Sequence, residues 1–271
     1  MAARHKSLFP YEYKKALIAS AFFVSAFCVP LAAAECPRLP GGFTAAVAHV
    51  YDGDTVRLSD GRKVRLIGVN TPELGRDGRA DEPFAVQARQ WLVRAVQGRR
   101  VYLLPGVESQ DRYGRLLAHL YLPNENLSDG ELAAEGLVRS GLGYALAVGA
   151  NSRLADCLFA AEETARSARQ RLWQQAPVEA SAIASAGFAV VRGRITRVTP
   201  IARGTYIDLD RTVALFVPRS VMATAPEHWR EGQIIVARGW VVDRLQRQSA
   251  LRSGQLRWRL NITHPHHLRG D

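Results

Sequence analysis

The sequence is poor in lysine although it is rich in positive charge. After residue 15 the only lysine is Lys63, yet the chain carries 36 Lys and Arg residues. Because such a bias can reflect the base composition of a genome, the excess of arginine does not by itself indicate phosphate recognition. Arginine does suit bidentate contact with phosphate, however. The formal net charge of +11 at pH 7 is compatible with an anionic partner.

The sequence also lacks long low-complexity runs, and its two halves do not look like close repeats of each other. A hydrophobic fraction of 47% is ordinary for a globular protein. With 271 residues the chain is long enough for one large domain or two small ones.

Residues 1–34 have the pattern of an export signal. A basic start is followed by the uncharged stretch 16–34, which ends in small residues before Glu35. We expect this signal peptide to be cleaved, leaving an exported protein that is periplasmic or secreted and not stably associated with a membrane. The alternative is an uncleaved membrane anchor, because about 19 residues can just span a bilayer.

Cysteine is scarce, with three residues in the whole chain. Cys28 lies in the predicted signal, which leaves Cys36 and Cys157 in the exported chain. In an oxidising compartment such a pair predicts a disulfide. The alternative is that the two cysteines stay unpaired, one as a buried thiol and the other as a free thiol without a function.

The first half of the chain predicts a domain over residues 35–173. Short strands are predicted at 44–51, 54–59, 62–69, 100–104 and 115–122, and helices at 83–97, from Ser128 onward and at 151–173. Five strands with interspersed helices fit a small closed barrel of the oligonucleotide-binding (OB) type. We therefore expect a mainly β fold with some α.

Residues 174–186 are rich in Ala, Ser and Gln and predict a linker. A second, smaller domain is expected at 187–271. Its strands are predicted at 188–198, 204–210, 213–217, 233–242 and 256–263. Three strands, a helix or loop, and two further strands are the order of another OB-like barrel.

The stretch "VYDGDTVRLSDGRKVRLIGVNTPE" combines carboxylates and basic side chains with strand formers. The Asp-Gly pair at 60–61 predicts a tight hairpin that folds Asp54 beside the segment 70–73. Oxygen atoms of Asp54, Asn70 and the Thr71 carbonyl are ligands suited to a hard cation such as calcium. A turn without a metal explains the same Asp, Asn and Gly residues equally well.

Arg65 lies in the middle of a predicted strand, and Arg115 follows "YG" at the start of another. Two arginines that converge beside a metal would clamp a phosphodiester and offset the charge that builds up during its displacement. Glu73 would then be a candidate to activate a water molecule. The alternative for each arginine is a surface ion pair.

Four motifs, "VYDGDTVRL", "VRLIGVNTPE", "DRYGR" and "LVRSGL", occur in this order. Together they closely resemble the staphylococcal nuclease, or thermonuclease-like, family over roughly residues 44–173. The resemblance implies a calcium-dependent phosphodiesterase acting on DNA and RNA, built on an OB barrel and leaving 3′-phosphate products.

The resemblance also implies a ligand set for calcium. Asp54 and Asn70 take the positions of the two acidic ligands, and the Thr71 carbonyl also binds the metal. Asp52 takes the position of a carboxylate behind these ligands. The family usually has Asp where this chain has Asn70, so one formal charge is missing from the site.

The resemblance assigns the remaining roles in the same way. Glu73 positions or activates the attacking water, Arg65 and Arg115 bind and neutralise the phosphate, and Tyr113 contacts the nucleotide. The paired tyrosines that the family carries after the "LVR" helix are missing, and only Tyr144 lies nearby.

The second domain carries aromatic residues on its predicted strands, namely Tyr206, Phe216, Trp240 and Trp258. Stacking aromatics beside arginines are typical of single-strand binding proteins, but core packing explains the same residues and is the interpretation we favour. The C-terminal histidines 264, 266 and 267 predict a solvated tail, and the alternative is that they bind a metal.

The sequence therefore predicts an exported calcium-dependent nuclease whose partner is nucleic acid, single-stranded DNA or RNA. One alternative is a non-catalytic binding module that keeps its phosphate contacts without effective metal binding. Another is a cell-envelope protein that uses both barrels to bind protein partners.

Overall fold

The computed structural model describes residues 35–124, 130–223 and 229–271. The predicted signal or anchor at 1–34 and the predicted helix start at Ser128 lie outside these residues. In the described ranges, no helix is long and apolar enough to cross a membrane.

The first half of the described chain contains seven strands and three helices. The strands are β1 (Phe43–Val50), β2 (Thr55–Leu58), β3 (Lys63–Leu66), β4 (Val69–Asn70), β5 (Arg100–Gln110), β6 (Leu116–Tyr121) and β7 (Tyr144–Ala145). The helices are α1 (Ala85–Val96), α2 (Ala133–Arg139) and α3 (Ala155–Ser167).

Five of these strands close a barrel in the order β1-β2-β3-β6-β5. The pair β3 and β6 is parallel, and the other neighbours are antiparallel. Along β3, Val64 and Leu66 are buried in the barrel core while Lys63 is exposed. The alternation places Arg65 on the outer face of the barrel wall.

The helices cover the barrel with apolar faces. Helix α1 buries Ala85, Ala88, Leu92 and Val96, which are three or four positions apart and so lie on one side of the helix. Helix α3 ends earlier than the predicted 151–173. Arg169 and Arg171 adopt positive φ angles of 48° and 46°, which an α-helix cannot continue through, and a short 3-10 turn follows at Arg171–Gln174.

The second half of the chain forms another closed barrel. Its elements are β8 (Val178–Glu179), β9 (Gly187–Ile201), β10 (Gly204–Leu209), β11 (Val213–Pro218), α4 (Arg219–Met222), β12 (Ile234–Asp243), β13 (Trp258–Asn261) and β14 (Leu268–Gly270). Strands β9, β10, β11, β13 and β12 follow one another, and β12 pairs with β9 to close the circle.

The order of strands in this circle is the same as in the first barrel, including one parallel pair, β11 with β13. Its core contains Ile207, Leu209, Leu215 and Leu260, all essentially inaccessible to solvent. The predicted fold class, mainly β with two OB-like barrels, is confirmed.

The segment predicted as a linker packs on the second barrel. Within residues 174–186, strand β8 pairs in parallel with β9, and Ala180 is fully buried in the second core. At the C-terminal end, the prediction of a solvated tail is wrong. His267 is buried, and β14 pairs with β12, because the outer edge of β12 offers backbone partners to the last residues.

A disulfide joins Cys36 to Cys157, with Cα atoms 5.3 Å apart. It connects the segment before β1 to helix α3, which are 121 residues apart in sequence.

The two barrels meet at a small interface. A buried ion pair between Arg238 of β12 and Glu162 of α3 crosses it, with Nη2 and Oε2 2.8 Å apart. His267 accepts a hydrogen bond from the backbone N–H of Ala147 at 3.1 Å. An apolar cluster that includes Trp173 and Val190 completes the contact.

Candidate active site

The hairpin of β2 and β3 brings Asp54 against the segment after β4, as the sequence predicts. The carboxylate of Asp54 accepts hydrogen bonds from the backbone N–H of Thr71 at 2.8 Å and from its hydroxyl at 2.9 Å, both to Oδ2. Asp54 is 3% exposed. Its position is therefore fixed by groups 17 residues away in sequence.

Gly53 allows the turn between Asp52 and Asp54 to pack closely. A Cβ atom at this position would lie 2.7 Å from the Cβ of Ala88 in α1 and 2.8 Å from the Cβ of Thr71. Such contacts are too short for any side chain, so the glycine permits the close approach on which the placement of Asp54 depends.

Arg65 reaches across to two of the three predicted metal ligands. Its Nε lies 3.0 Å from Oδ1 of Asp54, and its Nη2 donates to Oδ1 of Asn70 at 3.2 Å. Its Nη1 donates to the carbonyl oxygens of Leu66 and Val69 at 2.7 and 2.8 Å. These four contacts hold the guanidinium in one orientation and leave one of its five N–H groups for a ligand.

Asn70 is held by a two-stranded sheet outside the barrel. Strand β4 pairs with β7, so Asn70 lies opposite Tyr144. The neighbouring residue Ala145 donates its backbone N–H to the buried carboxylate of Glu162 at 2.6 Å. The position of Asn70 therefore depends on the same carboxylate that binds the second barrel.

Three carboxylates lie close enough to influence one another. Burial, together with the charges of Asp54 and Glu73, raises the pKa of Asp52 to about 7. Partial burial and the charge of Asp54 raise the pKa of Glu73 above its ordinary value, although Arg65 opposes this. Asp52 accepts a hydrogen bond from the backbone N–H of Asp54 at 3.1 Å, which places it behind the Asp54 carboxylate.

Arg115 approaches from the loop between β5 and β6. Its Nε lies 2.7 Å from Oδ2 of Asp111, and Asp111 also accepts the backbone N–H groups of Tyr113 and Arg115. No described residue accepts a hydrogen bond from the Nη groups of Arg115. Asp111 thus orients the guanidinium and leaves its two outer nitrogens for a ligand.

Tyr113 is 67% exposed at the tip of this loop. Its ring lies 5.5 Å from the guanidinium carbon of Arg115, a distance compatible with a cation–π contact.

Arg65 and Arg115 line one pocket with a cavity volume of about 220 Å³. Its other polar lining residues are Glu108, Asp111 and Asn151, and its apolar lining includes Leu117, Leu146, Val148 and Trp240. The two arginines predicted to clamp a phosphate therefore face a shared cavity. Glu73 and Asp54 are not part of the lining of this pocket.

The oxygen atoms around Arg65 are of the types that bind a hard cation, because they belong to a carboxylate, an amide and a backbone carbonyl. Their charge is low for such a site. No group of three or more His, Cys, Asp and Glu side chains suited to a metal occurs within the described residues. Asn70 is one reason, since a carboxylate there would add to Asp54.

Sequence reasoning missed residues that the tertiary structure adds. Asp111 orients Arg115 and could have been found, because it stands four positions earlier in the quoted "DRYGR" motif. Glu162 gave no local signal, because it lies on α3 and acts through the backbone of Ala145. Trp240 was noted as an aromatic strand residue, but only the packing of the second barrel places it at the pocket. Tyr144 is half-buried between Trp173 and Phe188, with ring centroids 5.4 and 5.6 Å away.

Residues 63–175 match the family model described as Staphylococcal nuclease homologue. This part of the chain is therefore similar to staphylococcal nuclease homologues. Its sequence is 36% identical over 100 residues to a thermonuclease of Staphylococcus hyicus, covering 36% of this chain and 59% of that protein. It is 38% identical over 97 residues to a thermonuclease of Staphylococcus intermedius, covering 35% of this chain and 57% of that protein.

A probable endonuclease of Aspergillus oryzae is 46% identical over 59 residues, which are 22% of this chain and 21% of that protein. The chain thus spans less than two thirds of the length of each of these relatives. Arg65, Asn70, Thr71, Glu73 and Arg115 lie within the part matched by the nuclease family model, whereas Asp54 lies before it.

Proposed function

We propose that the protein is an exported, calcium-dependent nuclease that hydrolyses phosphodiester bonds of DNA and RNA. One observation carries the proposal. Two arginines, Arg65 on β3 and Arg115 in the loop between β5 and β6, are each oriented by a carboxylate and face the same cavity with N–H groups left for a ligand. Paired guanidinium groups of this kind bind the oxygen atoms of a phosphodiester.

The residues of the chain support a displacement at phosphorus. The two outer nitrogens of Arg115 would hold the non-bridging oxygens, and the remaining N–H of Arg65 would add a contact that strengthens as negative charge develops. Glu73 would take a proton from the attacking water. A bond forms between the water oxygen and phosphorus, the bond from phosphorus to the 5′ oxygen breaks, and the leaving 5′ oxygen takes a proton from solvent water. The products are a 3′-phosphate and a 5′-hydroxyl.

Asp54, Asn70 and the Thr71 carbonyl would hold the calcium ion, which when bound would supply positive charge beside the phosphate. Asp52, behind Asp54, would keep that carboxylate in place. Tyr113, which is exposed at the rim, would contact the nucleotide.

The experiment is degradation of single-stranded DNA by the purified chain, with millimolar calcium and with a chelator. We expect cleavage in calcium, none in chelator, and a loss of at least about a hundredfold in Glu73→Gln. Glu231→Gln serves as the control, because Glu231 is exposed on the second barrel. Equal rates for the wild type and Glu73→Gln would favour a non-catalytic nucleic-acid-binding module instead.

Export from the cytoplasm is a separate part of the proposal and is supported by the sequence of residues 1–34 alone. Fractionation of cells that express the full chain tests it. We expect protein starting near Glu35 outside the cytoplasm, and uncleaved protein in the membrane fraction would favour the anchor.

A further inference from the structure

Trp240 is a large aromatic residue that the second barrel leaves exposed. Its side chain is 47% exposed, whereas Trp229 and Trp258 of the same barrel are 8% and 6% exposed. It lies on β12, two positions after the buried Arg238. The preference for a core role that we drew from the sequence holds for Trp258 but not for Trp240.

The exposed ring lies at the pocket that Arg65 and Arg115 line. Trp240 is the residue that the second barrel contributes to the described lining of this pocket, and the others come from the first half of the chain. The lining of the pocket therefore combines two arginines with apolar residues, among them Trp240, Leu146 and Val148.

Trp240 is connected to the first barrel through Phe188. Its ring contacts Phe188 edge-to-face, with centroids 5.3 Å apart at 76°. Phe188 in turn packs on Tyr144, which pairs with Asn70. A series of aromatic contacts thus links the tryptophan to the strand that carries a proposed metal ligand.

A nucleotide matches this arrangement chemically, because it carries an anionic phosphate and a flat apolar base. We propose that Trp240 is the stacking platform for a base of the nucleic acid whose phosphate is bound by Arg65 and Arg115. The inference rests on the proposed function and makes the second barrel a part of the substrate site. Base stacking on aromatic side chains tolerates every base, so the platform favours single strands with accessible bases without selecting a sequence.

Binding measurements separate stacking from phosphate contact. The probes are a short fluorescein-labelled oligothymidylate and a strand of equal length built from abasic residues, both measured by anisotropy in chelator on the Glu73→Gln background. We expect Trp240→Ala to raise the Kd for oligothymidylate about tenfold and to leave the Kd for the abasic strand within about twofold. Trp240→Phe, which keeps a stacking ring, should stay within about threefold of the parent.

Leu245→Ala is the matched control, since Leu245 is a 42% exposed apolar residue of the same barrel and does not line the pocket. It should leave both Kd values unchanged. The proposal is overturned if Trp240→Ala raises the Kd for both strands equally, or if it changes neither Kd. Thermal melts of each variant identify a loss of folding.

This test does not depend on cleavage. If the wild type fails to cut DNA in calcium but Trp240→Ala still weakens binding of oligothymidylate and not of the abasic strand, the nuclease proposal fails and the stacking platform stands. If the wild type cuts DNA and Trp240→Ala has the KM and Kd of the parent, the platform fails and the nuclease stands.

Discussion

The ion pair between Arg238 and Glu162 joins the second barrel to the candidate active site, and its removal should affect both. The side chains are 4% and 3% exposed. Arg238 donates through Nη1 to Glu162 Oε1 at 2.8 Å and to the carbonyl oxygen of Ala145 at 3.0 Å. Replacing Arg238 by methionine keeps most of the volume but leaves the Glu162 carboxylate buried without its cation.

A buried pair that loses one partner costs about 3–5 kcal/mol, most of it from the uncompensated charge. For a chain of this size about 1 kcal/mol corresponds to a shift of 2–4 °C in Tm. We therefore expect Arg238→Met to lower Tm by about 10 °C. Because Glu162 also accepts the N–H of Ala145, which is next to the partner of Asn70, we expect the proposed nuclease activity to fall as well.

Urea unfolding and thermal melts of three variants test the reasoning. The double variant Arg238→Met with Glu162→Gln removes both charges but keeps an oxygen acceptor for Ala145, and it should recover most of the lost free energy of unfolding. The exposed pair of Arg166 with Glu163 is the control, and Arg166→Met should cost less than about 1 kcal/mol. A loss below about 1 kcal/mol in Arg238→Met, or no recovery in the double variant, would refute the argument.

Four further predictions follow from the same structure. Asn70→Asp should tighten calcium binding about tenfold in calorimetric titration, because it adds a carboxylate beside Asp54; an unmoved affinity would show that residue 70 is not a ligand. Arg65→Lys should lower turnover and leave the calcium affinity within about twofold of the wild type, since lysine lacks the paired N–H groups with which arginine binds two phosphate oxygens. Equal losses of turnover and of calcium affinity would contradict this. Cys36→Ser should lower the free energy of unfolding by up to about 4–5 kcal/mol in urea titrations, as expected for a loop of 121 residues. Reduced wild type is the control, and it should lose the same free energy of unfolding as Cys36→Ser. Burial lowers the pKa of His267 from 6.5 to about 3, so the unfolded chain binds more protons between those pH values and the stability from the neutral ring falls as pH drops below 6.5. The wild type should thus lose about 2 kcal/mol more than His267→Gln between pH 7 and pH 5, and parallel urea-midpoint profiles for the two proteins would argue against this.

The local elements were predictable because they depend on short-range rules. The hairpin of β2 and β3 follows from the Asp-Gly pair at 60–61 between two strand-forming runs. Helix α1 follows from apolar residues three or four apart, and its observed bounds, Ala85–Val96, lie within two residues of the prediction. The order of elements along the second barrel was predictable for the same reason, because it follows from short strand-forming runs.

The contact between Asp54 and Thr71 was predictable from one further step, since the hairpin geometry alone brings them together. The pairing of Cys36 with Cys157 in the structure agrees with the expectation drawn from composition. Neither inference needed knowledge of how the two barrels pack.

By itself the sequence determined the two barrels, the hairpin of β2 and β3, and the placement of Asp54 beside the segment 70–73. Only the tertiary structure decided what surrounds them. The pairing of Arg238 with Glu162, the burial of His267 and the exposure of Trp240 depend on which faces of the two barrels meet. Each barrel strand has two faces, and its alternation says which face is apolar but not which partner covers it. A residue on the outer face can therefore become an interface anchor, as Arg238 does, or part of a pocket wall, as Trp240 does, two positions apart on one strand.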